Sequence, residues 1–273
     1  MITKLIGCLA DQTDVLIYKI DLCFYRGECL LYICGAMGQK KLKRFAELLT
    51  FPNVLQNPEG MAGNWHQFFK NENPVTLELA CGKGEYALGL GRLHAQRNFI
   101  GVDLKGNRIW VGAKKALNEG LTNVGFLRTQ IDRIAEHFGT AEITEIWITF
   151  PDPQLRTSRA KKRLTHPKFL RLYQHILAPN GIIHLKTDSP ALYRFTKWVI
   201  DLHGLEVLED KDDVYAAEEV DAELQIKTHY ESLDIAGSNR VHYISFRLPA
   251  TPLPDKDDAL KEMLREEESD RRR

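Results

Sequence analysis

The stretch Leu77-Glu78-Leu79-Ala80-Cys81-Gly82-Lys83-Gly84 joins a short apolar run to the start of a helical pattern. Glycines at positions 82 and 84 allow a tight turn and let the backbone approach a nucleotide closely. Asp103 follows about 20 residues later, at the end of the next apolar run, where a carboxylate can hold ribose hydroxyls. The combined pattern favours a nucleotide-type ligand over a plain glycine turn beside a surface acid.

The acidic residue inside this stretch narrows the choice of ligand. The glycine turn and Asp103 alone fit a dinucleotide as well as S-adenosylmethionine. Glu78 would repel a pyrophosphate, whereas a carboxylate beside the loop suits a ligand that carries an ammonium and a sulfonium. Because the chain also lacks a recognisable set of hydride-transfer residues, the sequence disfavours a dinucleotide oxidoreductase and predicts S-adenosylmethionine as the cofactor.

On both sides of this turn, short apolar runs alternate with amphipathic segments. Such a βαβα pattern predicts an α/β fold with a mostly parallel sheet, whose ligands bind at the carboxyl ends of the strands. A final pair of runs, 205–208 and 241–248, is expected to close the sheet as an antiparallel edge. The predicted parallel strands are 75–79, 99–102, 124–127, 145–149 and 182–186, and the predicted helices are 84–95, 107–118, 131–138, 167–177 and 191–202.

Polar side chains follow the last three parallel strands at the same edge of the sheet. Gln130 and Asp132 come after the third strand and could contact an adenine, although either could equally cap the next helix. Asp152 follows the fourth strand between two prolines that fix a rigid, extended turn, which favours a functional role over a plain turn. Asp188 follows the fifth strand, with initiation of the next helix as the alternative role.

Composition limits the class of protein. The 273 residues carry 37 Lys and Arg against 37 Asp and Glu, which excludes a globally basic nucleic-acid-binding protein. Hydrophobic residues at 44% and charged residues at 27% are ordinary globular values. No apolar stretch approaches the roughly 18 residues of a membrane span, so neither a membrane-spanning segment nor a membrane partner is expected.

Charge is nevertheless strongly segregated along the chain. Residues 206–223 contain nine acids and a single base, Lys211, whereas residues 156–171 contain no acid. This basic run directly follows the turn at Asp152 and is predicted to hold RNA phosphates, with a solvated helix face as the alternative. Its bases are Arg156, Arg159, Lys161, Lys162, Arg163, Lys168 and Arg171, and Lys40, Lys41, Lys43 and Arg44 are expected to assist them.

The two ends of the chain look unlike its middle. All cysteines except Cys81 lie in the first 34 residues, and a basic segment without an export signal opens at Met37, as expected of a cytoplasmic protein. We hypothesise that residues 1–36 are a non-native upstream extension or a loosely attached leader, with functional translation beginning at Met37, and an extra hairpin is the alternative. Residues 37–250 are expected to form the main domain, and residues 251–273 a charged, solvated helix or frayed tail. Cys81 has no evident histidine partner and the histidines show no metal spacing, so neither a thiol nucleophile nor a metal is expected.

Several blocks, in one order, resemble the tRNA (guanine-N7-)-methyltransferase family over roughly residues 37–248. The resemblance implies a Rossmann-like class I methyltransferase fold that uses S-adenosylmethionine to methylate a variable-loop guanosine of tRNA, conventionally position 46, to 7-methylguanosine. The blocks are Glu78-Leu79-Ala80-Cys81-Gly82-Lys83-Gly84-Glu85, Gly101-Val102-Asp103-Leu104-Lys105-Gly106-Asn107-Arg108, Phe150-Pro151-Asp152-Pro153, Lys161-Lys162-Arg163-Leu164, Lys186-Thr187-Asp188 and Thr228-His229-Tyr230-Glu231.

The resemblance also implies roles for single residues. Asp152 corresponds to the catalytic aspartate and also to a cofactor-site position, whereas Arg156 stands where many members have a substrate-contacting lysine. A planar guanidinium is not equivalent to an ammonium. The implied cofactor-binding positions are Glu78, Gly82, Gly84, Asp103, Gln130, Asp132 and Asp152, and the implied substrate-binding positions are Arg156, Asp188, Thr228 and Glu231.

Two other functions share part of this pattern. A methyltransferase acting on an exocyclic amine of DNA, or on protein, would have the same glycine turn and a proline-rich turn after the fourth strand, but the pair Asp188 and Glu231 favours a guanine edge. A nucleotide-binding regulatory module would bind the cofactor without methyl transfer. Nothing in the sequence predicts an oligomeric state.

Overall fold

The computed structural model describes residues 24–25, 28–29, 36–233, 237 and 239–270. The chain divides into two compact units, Met1–Lys40 and Lys41–Arg273. In the first unit, strands β1 (Phe24–Tyr25) and β2 (Glu28–Cys29) pair antiparallel. The rest of the leader predicted over residues 1–36 lies outside the described residues, except for the first residue of a helix.

An eight-stranded sheet forms the centre of the second unit. Its strand order is β3-β6-β5-β4-β7-β8-β10-β9. The first six strands in that order are parallel, and β10 pairs antiparallel with both β8 and β9. The strands are β3 (Val54–Gln56), β4 (Val75–Leu79), β5 (Asn98–Asp103), β6 (Val124–Arg128), β7 (Ile143–Thr149), β8 (Leu177–Thr187), β9 (Glu206–Lys211) and β10 (His242–Arg247).

Helices cover both faces of this sheet. On β7, Ile146 and Ile148 join one apolar core and Trp147 joins the other, because successive side chains of a strand alternate between faces. The first core takes side chains from α5, α6 and α7, and the second from α3 and α4. The helices are α1 (Ala36–Leu48), α2 (Trp65–Phe69), α3 (Glu85–Leu93), α4 (Gly106–Glu119), α5 (Pro167–Ile176), α6 (Pro190–His203) and α7 (Asp257–Asp270).

The predicted mostly parallel sheet with an antiparallel edge is confirmed. Within this sheet, β3 is the strand that was not predicted, and it adds a short parallel edge beside β6. The α-helix predicted over 131–138 is wrong in type, because Ile131–Glu136 is a short 3-10 helix. The buried His137 follows this 3-10 helix. Its ring forms hydrogen bonds with the Thr129 hydroxyl at 2.9 Å and the Pro58 carbonyl at 3.2 Å, which hold the end of the segment in place.

The charged C-terminal segment forms a packed helix. Leu260 and Leu264 of α7 are 1% and 4% exposed and belong to the same core as α5 and α6. Arg171 on α5 donates to Asp257 at 2.8 Å, and Arg194 on α6 pairs with Glu267 at 2.8 Å. No helix within the described ranges is both long and apolar enough to cross a bilayer.

Candidate active site

A cavity of about 1030 Å³ lies at the carboxyl ends of the parallel strands. Each of the five central parallel strands contributes a lining residue, either at its last position or shortly after it in the chain. These residues are Ala80 after β4, Asp103 at the end of β5, Gln130 after β6, Asp152 after β7 and Asp188 after β8. The topology therefore collects side chains distant in sequence at one edge, as the strand pattern predicts.

The glycine turn after β4 is tied directly to Asp103. One carboxylate oxygen of Asp103 accepts the Gly82 amide at 2.9 Å, and the other accepts the Lys105 amide at 2.7 Å. Asp103 is buried at 8% exposure and still lines the cavity. The carboxylate is thus held at both oxygens, and its remaining lone pairs can still accept hydroxyl donors.

Gly84 is required at the start of α3 for two reasons. Its φ is +68°, in the left-handed region, and a Cβ at this position would lie 2.4 Å from Cε1 of Phe126. We expect Gly84→Ala to lower the free energy of unfolding by roughly 2 kcal/mol or more, because strain and overpacking both act. Urea unfolding measures the change, and Gly120→Ala, with a similar φ but nothing within 4 Å, separates the backbone effect from the clash.

Glu78 lies beneath the turn rather than in the wall of the cavity. It is 3% exposed, accepts the Ala87 amide at 2.8 Å and accepts the Thr149 hydroxyl at 3.2 Å. Burial is the main cause that raises the pKa of Glu78 to about 8. Desolvation, together with the nearby Glu78, also raises the pKa of the buried Cys81 thiol well above its usual range, so this thiol stays protonated.

Asp152 stands at the mouth of the cavity on a constrained turn. Its side chain is exposed, and one oxygen accepts the Gln154 amide at 3.0 Å. Phe150 and Gln154 have φ values of +45° and +46°, so the backbone is strained on both sides of Asp152. The guanidinium of the buried Arg163 donates to the Gln154 carbonyl at 3.2 Å and fixes the outer end of the turn.

The remaining predicted positions do not all meet at the cavity. Gln130 and Asp132 line it, and Asp132 pairs there with Lys168. Asp188 lines it as well. Thr228 is buried and Glu231 contacts Lys186 at 3.0 Å, and neither is among the lining residues. Arg156 borders a separate cavity of about 180 Å³.

Arg108 and Tyr230 are among the cavity-lining side chains that the sequence analysis did not assign to the site. Arg108 lies in the first turn of α4, and Tyr230 lies between Thr228 and Glu231 in the sequence. The Arg108 guanidinium lies 5.5 Å from the centre of the Tyr230 ring. Both residues belong to the blocks that carry the family resemblance, which was the signal for them. Among the described residues, no group of three or more His, Cys, Asp or Glu side chains is arranged to hold a metal ion.

Comparisons with known proteins agree with this geometry. A family model described as "putative methyltransferase" matches residues 72–242. A tRNA (guanine-N(7)-)-methyltransferase of Bacteroides thetaiotaomicron is 45% identical over 222 residues, covering 78% of this chain and 87% of the relative. The same-named proteins of Porphyromonas gingivalis and Christiangramia forsetii are 47% and 45% identical, covering 73% and 78% of this chain and 86% and 100% of the relatives.

Solved structures with little sequence similarity share the fold. The crystal structure of the 16S rRNA methyltransferase KamB matches with a TM-score of 0.51 at 12% identity, covering 68% of this chain and 94% of that one. This likeness supports the Rossmann-like methyltransferase architecture alone. The family follows from the close relatives and the family model. On that evidence, the chain belongs to the tRNA (guanine-N(7)-)-methyltransferase family.

Proposed function

We propose that this protein transfers a methyl group from S-adenosylmethionine to N7 of a guanosine in tRNA, in the variable loop at position 46. The observation that carries the proposal is the position of Asp152. It is an exposed carboxylate on a rigid turn, in a cavity that also contains the pinned Asp103. The names of the close relatives support the substrate.

The cavity fits the proposed cofactor. Its volume of about 1030 Å³ exceeds the roughly 300 Å³ at which small-molecule sites begin, so it can accept a nucleoside-sized ligand together with a base. Asp103 and Gln130 both line this cavity, where Asp103 would accept ribose hydroxyls and Gln130 would contact an adenine edge. When bound, S-adenosylmethionine supplies an electrophilic methyl group on a sulfonium.

Positioning accounts for most of the proposed catalysis. Guanine N7 carries a lone pair at neutral pH, so no side chain needs to remove a proton before attack. The methylated ring becomes cationic, and the Asp152 carboxylate would stabilise that developing charge. Asp188, half-buried on the same cavity wall, would accept the N1–H and the amino group of an extruded guanine.

A single assay tests the reaction, the cofactor and the target base. Labelled S-adenosylmethionine is incubated with an unmodified tRNA transcript and with a transcript whose variable-loop guanosine is replaced by adenosine. We expect 7-methylguanosine only in the first. Cofactor binding without modification of either transcript would contradict the proposed reaction and favour a non-catalytic binding module, and methylation of the second transcript would move the target elsewhere.

The basic run after Asp152 offers a phosphate-binding surface. Lys161 and Lys162 are exposed and line the cavity mouth, next to the proposed target base. Each lysine that contacts a phosphate contributes to the salt dependence of binding, with a slope close to one per contact.

We therefore expect Lys161→Ala with Lys162→Ala to weaken tRNA binding and to reduce the slope of log Kd against log salt by about two. Filter binding across a salt series measures both. Lys115→Ala, an exposed lysine on α4 outside the cavity lining, is the matched control and should leave the slope unchanged. An unchanged slope in the double variant would remove this surface from the tRNA contact.

A further inference from the structure

A lysine with a completely buried side chain lies directly under the edge of the cavity. The Lys186 side chain, at the end of β8, has 0% exposure. Its ammonium donates to the Leu224 carbonyl at 2.7 Å, the Ile226 carbonyl at 3.0 Å and Glu231 Oε2 at 3.0 Å. The Tyr215 hydroxyl lies at 3.4 Å as a fourth, longer contact, so all three donors of the ammonium are used. Removing one partner of such a buried pair would leave the other charge without compensation, so the two side chains depend on each other.

Glu231, the partner of this lysine, is bound within the protein on both sides. Its side chain is 5% exposed. Oε1 accepts the hydroxyl of Tyr215, while Oε2 accepts Lys186. Its own amide donates to the Thr228 hydroxyl at 3.2 Å. The family resemblance assigns Glu231 to the substrate. In this structure its carboxylate instead holds its own chain segment in place, through Lys186 and Tyr215.

This segment, residues 224–231, is called the cover segment below, and Lys186 bonds it near both ends, through the Leu224 and Ile226 carbonyls and through Glu231. Near its start, a Cβ on Gly89 of α3 would lie 2.7 Å from the Ile226 side chain, so the two elements pack closely. The Tyr86 hydroxyl donates to the Glu223 carbonyl at 2.5 Å, just before the segment. Near its end, the Glu231 carboxylate contacts Lys186 and Tyr215, next to the cavity-lining Tyr230.

Tyr230 is the residue that the cover segment brings into the cavity wall. Three aromatic side chains line the cavity, and Phe150 and Phe169 are buried at 9% and 4% exposure, whereas Tyr230 is partly exposed. Its ring approaches the glycine turn, with Cε2 4.0 Å from the position of a Cβ on Gly82. The turn that Asp103 pins is thus flanked by an aromatic ring.

We propose that Lys186 and Glu231 are positioning residues that hold Tyr230 in the cavity wall, where its ring covers the bound cofactor beside the glycine turn. The contact is assigned to the cofactor and not to the guanine, because Tyr230 lies next to Gly82 and Arg108, on the side of the cavity formed by β4 and β5. The inference rests on the proposed cofactor but not on the proposed tRNA substrate.

Calorimetric binding of S-adenosylhomocysteine to the full-length protein tests the proposal without tRNA. We expect Tyr230→Ala to weaken binding roughly five- to tenfold, the worth of one aromatic contact, and Tyr230→Phe to recover most of that loss. Lys186→Met should weaken binding by a similar factor. The double variant that combines Tyr230→Ala with Lys186→Met should bind S-adenosylhomocysteine no more weakly than either single variant, since both changes remove the same ring contact.

Kinetics separate positioning from general stabilisation. We expect Lys186→Met to raise KM for the methyl donor while KM for tRNA stays constant. Lys197→Met, which removes a lysine paired with Asp210 outside the cavity, is the matched control and should change neither. A lowered melting temperature with unchanged cofactor affinity, or additive losses in the double variant, would show that Lys186 only stabilises the fold.

A second variant keeps the proposal testable if Lys186→Met does not fold. Glu231→Gln keeps the shape of the side chain and removes its charge. We expect weaker cofactor binding with full selectivity for guanine. If Glu231→Gln instead raises KM for tRNA at unchanged cofactor affinity, Glu231 contacts the guanine and the proposal is wrong. Wild-type protein that binds S-adenosylhomocysteine but methylates no tRNA would contradict the proposed function alone, and failure to bind it would overturn this inference.

Discussion

Asp152→Ala is expected to reduce kcat by roughly a hundred- to a thousandfold, the usual effect of removing one group that stabilises transition-state charge. In the proposed reaction, N7 methylation would create a cationic ring beside Asp152, whose carboxylate stands on a turn with strained backbone on both sides. The affinity for S-adenosylhomocysteine should change little. Single-turnover rates and calorimetric Kd values measure the two effects separately.

Asp152→Asn is the informative companion variant. The amide oxygen can still accept the Gln154 amide, so the turn should keep its geometry while the negative charge is lost. If charge is what matters, the asparagine variant is nearly as slow as the alanine variant. Parallel losses of kcat and of cofactor affinity in both variants would make Asp152 chiefly a cofactor ligand.

Glu78→Gln should raise the thermal stability of the ligand-free protein at alkaline pH. Glu78 is 3% exposed, and burial raises its pKa to about 8 from the ordinary value of 4.5. At about 1.4 kcal/mol for each pKa unit, the ionised form is disfavoured by several kcal/mol in the folded state. A glutamine keeps both hydrogen bonds, since its oxygen can accept the Ala87 amide and its amino group can donate to Thr149.

The sign of the pH dependence follows from the raised pKa. Between pH 4.5 and about 8 the folded protein keeps the Glu78 proton that the unfolded chain releases, so Glu78 makes stability fall as pH rises. Above about pH 8 both states are ionised and this contribution is constant. We therefore expect the difference in melting temperature between Glu78→Gln and wild type to grow from pH 5 to pH 8 and then to level off.

Glu59→Gln, an exposed glutamate in the loop before α2, is the matched control and should show no such trend. A flat difference for Glu78→Gln across the whole range would mean that Glu78 is already ionised in the folded protein.

Cofactor affinity adds a second measurement, because a cationic ligand favours ionised Glu78. Wild-type affinity should then strengthen as pH rises through about 8, while the affinity of the glutamine variant should not.

The predicted strands were found because their signals are local. Apolar runs such as Val75–Leu79 and Ile143–Thr149 are bounded by turn residues. Because helices connect these strands in parallel, their carboxyl ends lie at the same edge of the sheet. The strand β3 was missed because three residues, Val54–Gln56, are too few to show a period. The packing of α7 was missed because its many charges concealed one apolar pair, Leu260 and Leu264, four residues apart on one helix face.

The candidate site was predicted less completely, because burial and long-range pairing decide it. Asp103, Asp152 and Asp188 were placed by their positions after strands, and they line the cavity. No local pattern shows that Glu78 lies under the turn with its carboxylate desolvated. Likewise, the contact between Lys186 and Glu231 joins residues 45 positions apart and forms only when the cover segment folds back over β8.

The docking of α7 has a practical consequence for anyone who shortens the protein. The region that matches the family model ends at residue 242, yet the folded unit continues to a helix whose leucines complete a core shared with α5 and α6. A fragment that stops at the matched boundary would leave that core uncovered, and Arg171 and Arg194 would lose their carboxylate partners. Expression boundaries for this protein should therefore follow the packing of α7, and an affinity tag is better joined by a flexible linker than fused directly to its last turn.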